Sequence, residues 1–185
     1  MRRINRDVST PYDIEPGRRV VFYGIVGAFL AVAPSALLLV DVPNYLRPWV
    51  SVYLVLWACE WGNFFAGRWV DSLNERVALL RARLSLNDQL TDEEEKRPPG
   101  RVKWMPATIG YFERAVYSVL IALNPQSGAT FIGLWVGLKM AGGWQLWSKG
   151  TTYGNALFFT GLLGNAMSVS FGVVAGLVIY SWFHP

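Results

Sequence analysis

The chain is 185 residues long and 52% hydrophobic, with nine Trp, eight Tyr and ten Phe, and its formal net charge is +4. That apolar share exceeds what a water-solvated domain carries, and it is gathered into long runs that need a hydrocarbon solvent. The basic residues cluster without interleaved aromatics, which excludes a nucleic-acid surface, while a single cysteine, Cys59, and a single histidine, His184, exclude an internal disulfide and a zinc cluster.

In chain order, Arg2 and Arg3 ahead of an apolar stretch containing Ala31-Val32-Ala33 imitate a secretory signal. Yet the run begins near Val20, Pro34 follows the would-be cut, and Leu37 to Val40 continue it, so a retained first helix is predicted. A span needs roughly 20 apolar residues to cross ~30 Å of hydrocarbon. Five segments come close. The first runs from Val20 to Val40 with a kink at Pro34 and ends at a turn over Asp41-Val42-Pro43-Asn44. The second runs from Trp49 to Trp69. The third, Pro106 to Leu123, opens on a proline and closes at Asn124-Pro125. The fourth covers Ser127 to Trp147, and the fifth, Asn155 to Trp182, is long enough to tilt.

Between the second and third spans the composition shifts abruptly to charge. Leu73, Val77, Leu80 and Leu84 recur there at helical spacing, so an amphipathic helix continuing the second span is expected, until Asp92 to Glu95 and Pro98-Pro99-Gly100 end it. The chain thus divides into an N-terminal cytoplasmic segment (1–19), spans one and two (20–70), a charged cytoplasmic or interfacial segment (71–105) and spans three to five (106–185). The predicted fold is an all-α polytopic membrane bundle.

Cytoplasmic segments carry the excess of Lys and Arg. Arg2, Arg3, Arg6, Arg18 and Arg19 precede the first span; Arg68, Arg76, Arg81, Arg83, Lys96, Arg97, Arg101 and Lys103 lie between the second and third; Lys149 lies between the fourth and fifth. The opposite side holds Arg47. Five crossings with a cytoplasmic N-terminus put every rich segment on one side and His184 and Pro185 on the other. Aromatic belts agree, with Trp69, Trp104, Trp144 and Trp147 at the inner boundary and Trp49 and Trp182 at the outer one.

Helices in lipid associate through close backbone approach, so small residues four apart mark contact faces. Gly133 with Gly137 and Gly172 with Gly176 are such pairs, serving packing within the chain or self-association into a homo-oligomer. In the fifth span Gly161, Asn165, Ser168 and Gly172 wind along one face, which should point inward because its polar members are costly against lipid.

Four ionisable residues fall inside spans: Glu60, Glu113, Arg114 and Lys139. Each costs roughly 2.5–3.5 kcal/mol at a helix centre on insertion scales. Counted from the inner Trp belt at 1.5 Å per residue, Glu60, Glu113 and Lys139 all lie about 12–14 Å deep. Two acids and two bases at one level sum to zero, as a dry environment demands. Neighbours on a helix point about 100° apart, so Glu113 and Arg114 need different partners; Glu113 with Lys139 and Arg114 with Glu60 is one consistent assignment. Asn63 and Gly67 extend the polar face from Glu60, and Trp135 lies one turn from Lys139 as a cation–π neighbour. This intramembrane charge cluster, with Asn63, Asn165 and Ser168, forms a polar seam that locks helix register, lines a pathway for a proton, ion or polar solute, or makes a lipid-headgroup pocket, unless Lys139 or Arg114 snorkels to the near interface.

No catalytic residues, metal site or cofactor are predicted: Ser168 and Ser170 have no nearby histidine, and no phosphate-cradling glycine loop is followed by Lys-Ser or Lys-Thr. The half of the chain carrying Ile109-Gly-Tyr-Phe-Glu113-Arg114, then Ile132-Gly-Leu-Trp-Val-Gly-Leu-Lys139, then Gly164-Asn165-Ala-Met-Ser168 is similar to bacterial multi-pass inner-membrane proteins of uncharacterised function that share a Gly-x-x-Glu-Arg then Lys pattern. The resemblance implies a bacterial inner membrane and no activity. Two expectations follow from the residues: a non-catalytic membrane protein with a structural ionic seam, whose cytoplasmic segment 71–103 contacts a protein partner, or a small transporter or channel-like carrier using Glu60, Glu113 and Lys139 as a relay.

Overall fold

A computed structural model describes residues 16–86, 104–148 and 150–184. Among the described residues there are helices and no strands: α1 (Pro16–Val32), a 3-10 segment (Ala33–Leu39), α2 (Arg47–Leu86), α3 (Trp104–Leu123), α4 (Pro125–Ser148) and α5 (Thr152–Phe183). Two segments, Arg18–Leu39 and Thr152–Phe183, are long and apolar enough to cross a membrane, with mean hydropathies of 2.1 and 1.9.

Local chemistry sets the helix ends. Pro34 falls at the start of the 3-10 segment, where its missing N–H ends α-helical bonding, and the chain tightens instead of merely kinking. The Ser35 hydroxyl donates to the Val32 carbonyl at 2.6 Å across that junction. Asn124 alone separates α3 from α4; its side-chain oxygen accepts from the Ser127 N–H at 3.0 Å, with Pro125 at the first helical position. Thr151 caps α5 by accepting from the Gly154 N–H at 3.1 Å, and Gly150 makes the preceding turn at φ +67°, a conformation side chains resist. The 40 residues of α2 are continuous and extend about 60 Å, so the amphipathic segment continues the second predicted span as far as it is described. The acidic run Asp92 to Glu95, Pro98 to Gly100, Arg2, Arg3, Arg6, Lys96 to Lys103 and Lys149 lie outside the described residues.

α5 is the central helix, packed against α1, α2, α3 and α4, while α4 sits at the edge on α3 and α5. The α3–α5 contact is a backbone approach made by glycine. A Cβ at Gly172 would lie 2.7 Å from the Tyr117 Cβ, and one at Gly176 would lie 2.6 Å from the Ser118 carbonyl oxygen. Gly133 and Gly137, in contrast, face open space, so that pair plays no part in packing within the chain. The reason is the peripheral place of α4, which turns Leu134 and Leu138 outward with them. Sequence spacing missed Gly24 and Gly27, which seat α1 against Trp69 and Met167.

Each end of the molecule is tied by an arginine. Arg19 Nη1 approaches Glu75 Oε2 at 4.0 Å, joining the start of α1 to the extension of α2. At the other end Arg47 donates to the carbonyls of Val42 at 3.1 Å and Trp182 at 2.7 Å. Trp182 is buried beneath this contact, so it does not serve in an outer aromatic belt, while Trp49 and Trp144 are exposed.

The surface is widely apolar, and two charges lie within the otherwise apolar core. Phe29 (71%), Phe112 (69%) and Leu138 (70%) are widely exposed, whereas Glu113 (3%) and Arg114 (1%) are among the most enclosed side chains. The glycine contacts give a direct expectation. Gly176→Val should lower stability by about 1–3 kcal/mol through overpacking against α3, and Gly137→Val should leave it unchanged, as read from thermal unfolding in detergent.

Candidate functional site: a polar cavity among four helices

The site starts from two consecutive residues of α3. Glu113 and Arg114 project about 100° apart, so one reaches α4 while the other reaches α2 and α5. Lys139 Nζ donates to both carboxylate oxygens of Glu113, at 2.8 and 2.9 Å, and to Asn165 Oδ1 at 2.7 Å. All three ammonium protons are thereby used. The Trp135 indole N–H donates to Glu113 Oε1 at 2.6 Å. Trp135 therefore serves the acid, not the base, because its ring nitrogen reaches the carboxylate before its face could meet the ammonium.

Arg114 has different company. Its stem crosses Gly62, where a Cβ would come within 2.5 Å of Cδ, and its head donates to Ser168 Oγ at 2.8 Å and to Asn63 Oδ1 at 3.3 Å. The Nε atom is buried without a hydrogen-bond partner. Among the described residues no carboxylate lies within ion-pairing distance of it.

The expected Arg114–Glu60 pair is not formed. Ala58, Gly62 and Ala66 present the small, buried face of α2, and Glu60, two residues from Gly62, is turned about 200° from it. Glu60 is exposed and accepts instead from the Tyr111 hydroxyl. Tyr111 lies half a turn from Glu113, so Glu60 meets α3 close to Glu113 along the helix without entering the cluster. Only Glu113, Arg114 and Lys139 converge, joined by Asn63, Asn165 and Ser168 of the predicted seam; Glu60 stands outside it.

These side chains line a cavity of about 560 Å³ bounded by α2, α3, α4 and α5. Arg114 and Ser168 form its inner end, Lys139 and Asn165 one wall, and the exposed Arg68 and Asp71 its rim. Gly67 and Gly161 face open space on its walls, while Gly164 is seated against Val70. A volume of this size accepts water and a small solute, and the convergence of few polar groups in a concave space is the usual mark of a ligand site.

Sequence reading missed Tyr111, the seat at Gly62, and the rim residues Arg68, Asp71 and Asn74. The first two were within reach: Ala58, Gly62 and Ala66 recur every four residues, the pattern that marks a contact face, and would have fixed the rotation of α2. No protein-family model, curated protein or solved structure matches this chain.

The Glu113–Lys139 pair makes a measurable prediction. Lys139→Met strands an enclosed carboxylate and should cost about 2–4 kcal/mol, whereas Glu113→Gln with Lys139→Met should recover most of that loss, since an isosteric neutral replacement of a buried pair is close to neutral. A double-mutant cycle of unfolding in detergent measures the coupling directly.

Proposed function

We propose that this chain is a five-span membrane protein whose polar cavity opens to the cytosol and admits a small polar or charged solute, as a carrier does. The observation that carries the reading is the cavity itself: about 560 Å³, walled by Arg114, Lys139 and Glu113, set inside a protein that turns Phe and Leu outward. The Glu113–Lys139 pair borders this space without filling it. The membrane reading is supported by the two apolar helices and by the many large apolar side chains turned outward, Phe29 and Leu138 among them, which hydrocarbon would solvate. Orientation follows from charge. Arg18, Arg19, Arg68, Arg76, Arg81 and Arg83 fall towards the end where α1 begins and α2 extends, and Arg47 at the opposite end, which supports a cytosolic side for the former.

A second reading, a non-catalytic subunit that binds a protein partner through residues 71–103, is favoured by the continuous helical extension of α2 beyond the cavity. Thiol accessibility separates the two. In a Cys59→Ser background, single cysteines at Asn74 and Gly161 should react with a membrane-impermeant maleimide added from the cytosolic side, and one at Leu138 should not. Equal inertness at all three positions would refute a water-filled cavity and leave the subunit reading.

A further inference from the structure

Among the described residues, the charges lining the cavity do not balance. Arg68, Arg114 and Lys139 face Asp71 and Glu113, and the pair Glu113–Lys139 is closed on itself. Of the two remaining cations, Arg68 is exposed at the rim over the Phe64 ring, whereas Arg114 is enclosed. Its hydrogen-bond acceptors, Ser168 and Asn63, are neutral, its Nε lies against Gly62 with no partner among the described residues, and it is 1% exposed. A guanidinium that deep without a counter-charge is a large cost unless something negative accompanies it.

The surroundings leave room for that companion. Gly110 lines the cavity beside Arg114, and a Cβ there would stand 3.4 Å from both Nη1 and Nη2, so any larger side chain would lie across the guanidinium head. Glycine keeps that side open. The planar head of arginine, with its forked N–H groups, matches the two oxygens of a carboxylate or a phosphate.

We infer that the cavity binds an oxyanion, a carboxylate or phosphate group, on the guanidinium of Arg114. The inference rests on the reading of the cavity as an open solute site and names the class of solute. The oxyanion belongs either to a free solute entering past Arg68 and Asp71 or to an anionic lipid headgroup entering between helices beside Phe64 and Ile109, which line the same cavity and are exposed.

The test uses the full chain purified in neutral detergent. Inorganic phosphate and acetate are titrated calorimetrically against chloride at matched ionic strength, and in parallel the protein is placed in nanodiscs with and without phosphatidylglycerol, with bound lipid counted by native mass spectrometry. A free-solute site gives saturable one-to-one binding of phosphate or acetate; a headgroup site gives one retained phosphatidylglycerol and no soluble binding. Arg114→Gln should weaken whichever is seen by about tenfold or more, the loss expected of a charged hydrogen bond. Gly110→Leu, which keeps the arginine and its bonds to Ser168 and Asn63, should weaken it comparably and covers the case in which Arg114→Gln does not fold. Absence of both kinds of binding in the unaltered protein, or equal affinity in Gly110→Leu, overturns the inference. If cysteines at Asn74 and Gly161 react with maleimide while no anion binds, the inference alone fails. If they are inert but phosphatidylglycerol is retained, the carrier reading fails and the anion site stands.

Discussion

Two opposite charges occupy successive positions of α3, and neither can be served by the helix that carries it. A carboxylate or guanidinium withdrawn from water must find its partners in the protein, and consecutive residues must find them in different directions. Glu113 consequently fixes α4 through Lys139 and Trp135, while Arg114 fixes α2 through Asn63 and Gly62 and α5 through Ser168. The four helices around the cavity are thus placed by one dipeptide. Its environment is possible only because small residues let the backbones come near: Gly62 for the arginine stem, Gly172 and Gly176 for the approach of α3 to α5.

The cavity arises where that closeness stops. Towards the end where Arg19 meets Glu75, Asn63, Gly67, Asp71 and Asn74 follow one another along α2, while α5 answers with Thr160, Gly161 and Gly164. Short or polar side chains on both helices leave a gap. On the other side of Arg114, Tyr117, Phe171 and Ile121 fill the space fully. The same helices are tightly joined in one half and parted in the other, so the charged residues sit at the boundary between a packed and an open region.

Much of this was legible in the residues. Each of the predicted helices occurs within a few residues of its expected bounds, since long apolar runs broken by Asn124-Pro125 and by the Pro43 turn permit little else. The Glu113–Lys139 contact followed from depth and charge alone. Rotation about the helix axis was harder to read. Glu60 shares a depth with its supposed partner, but depth does not say which way a side chain points, and the four-residue repeat of Ala58, Gly62 and Ala66 turned it outward to Tyr111. The inward face of α5 was readable because Asn165 and Ser168 cannot face lipid cheaply, while Gly133 and Gly137 looked the same as Gly172 and Gly176 in sequence and differ only because α4 is peripheral.

The link between α3 and α4 is a single residue, Asn124, whose side chain already caps the second helix. Helices joined so tightly behave as one stiff hairpin, and the Glu113–Lys139 pair rivets its two arms partway along their length. Neither arm can slide past the other without breaking both fastenings. The walls that α3 and α4 give the chamber are therefore held at one spacing, and the head of Arg114, which touches both α2 and α5, ties the other two walls to that hairpin.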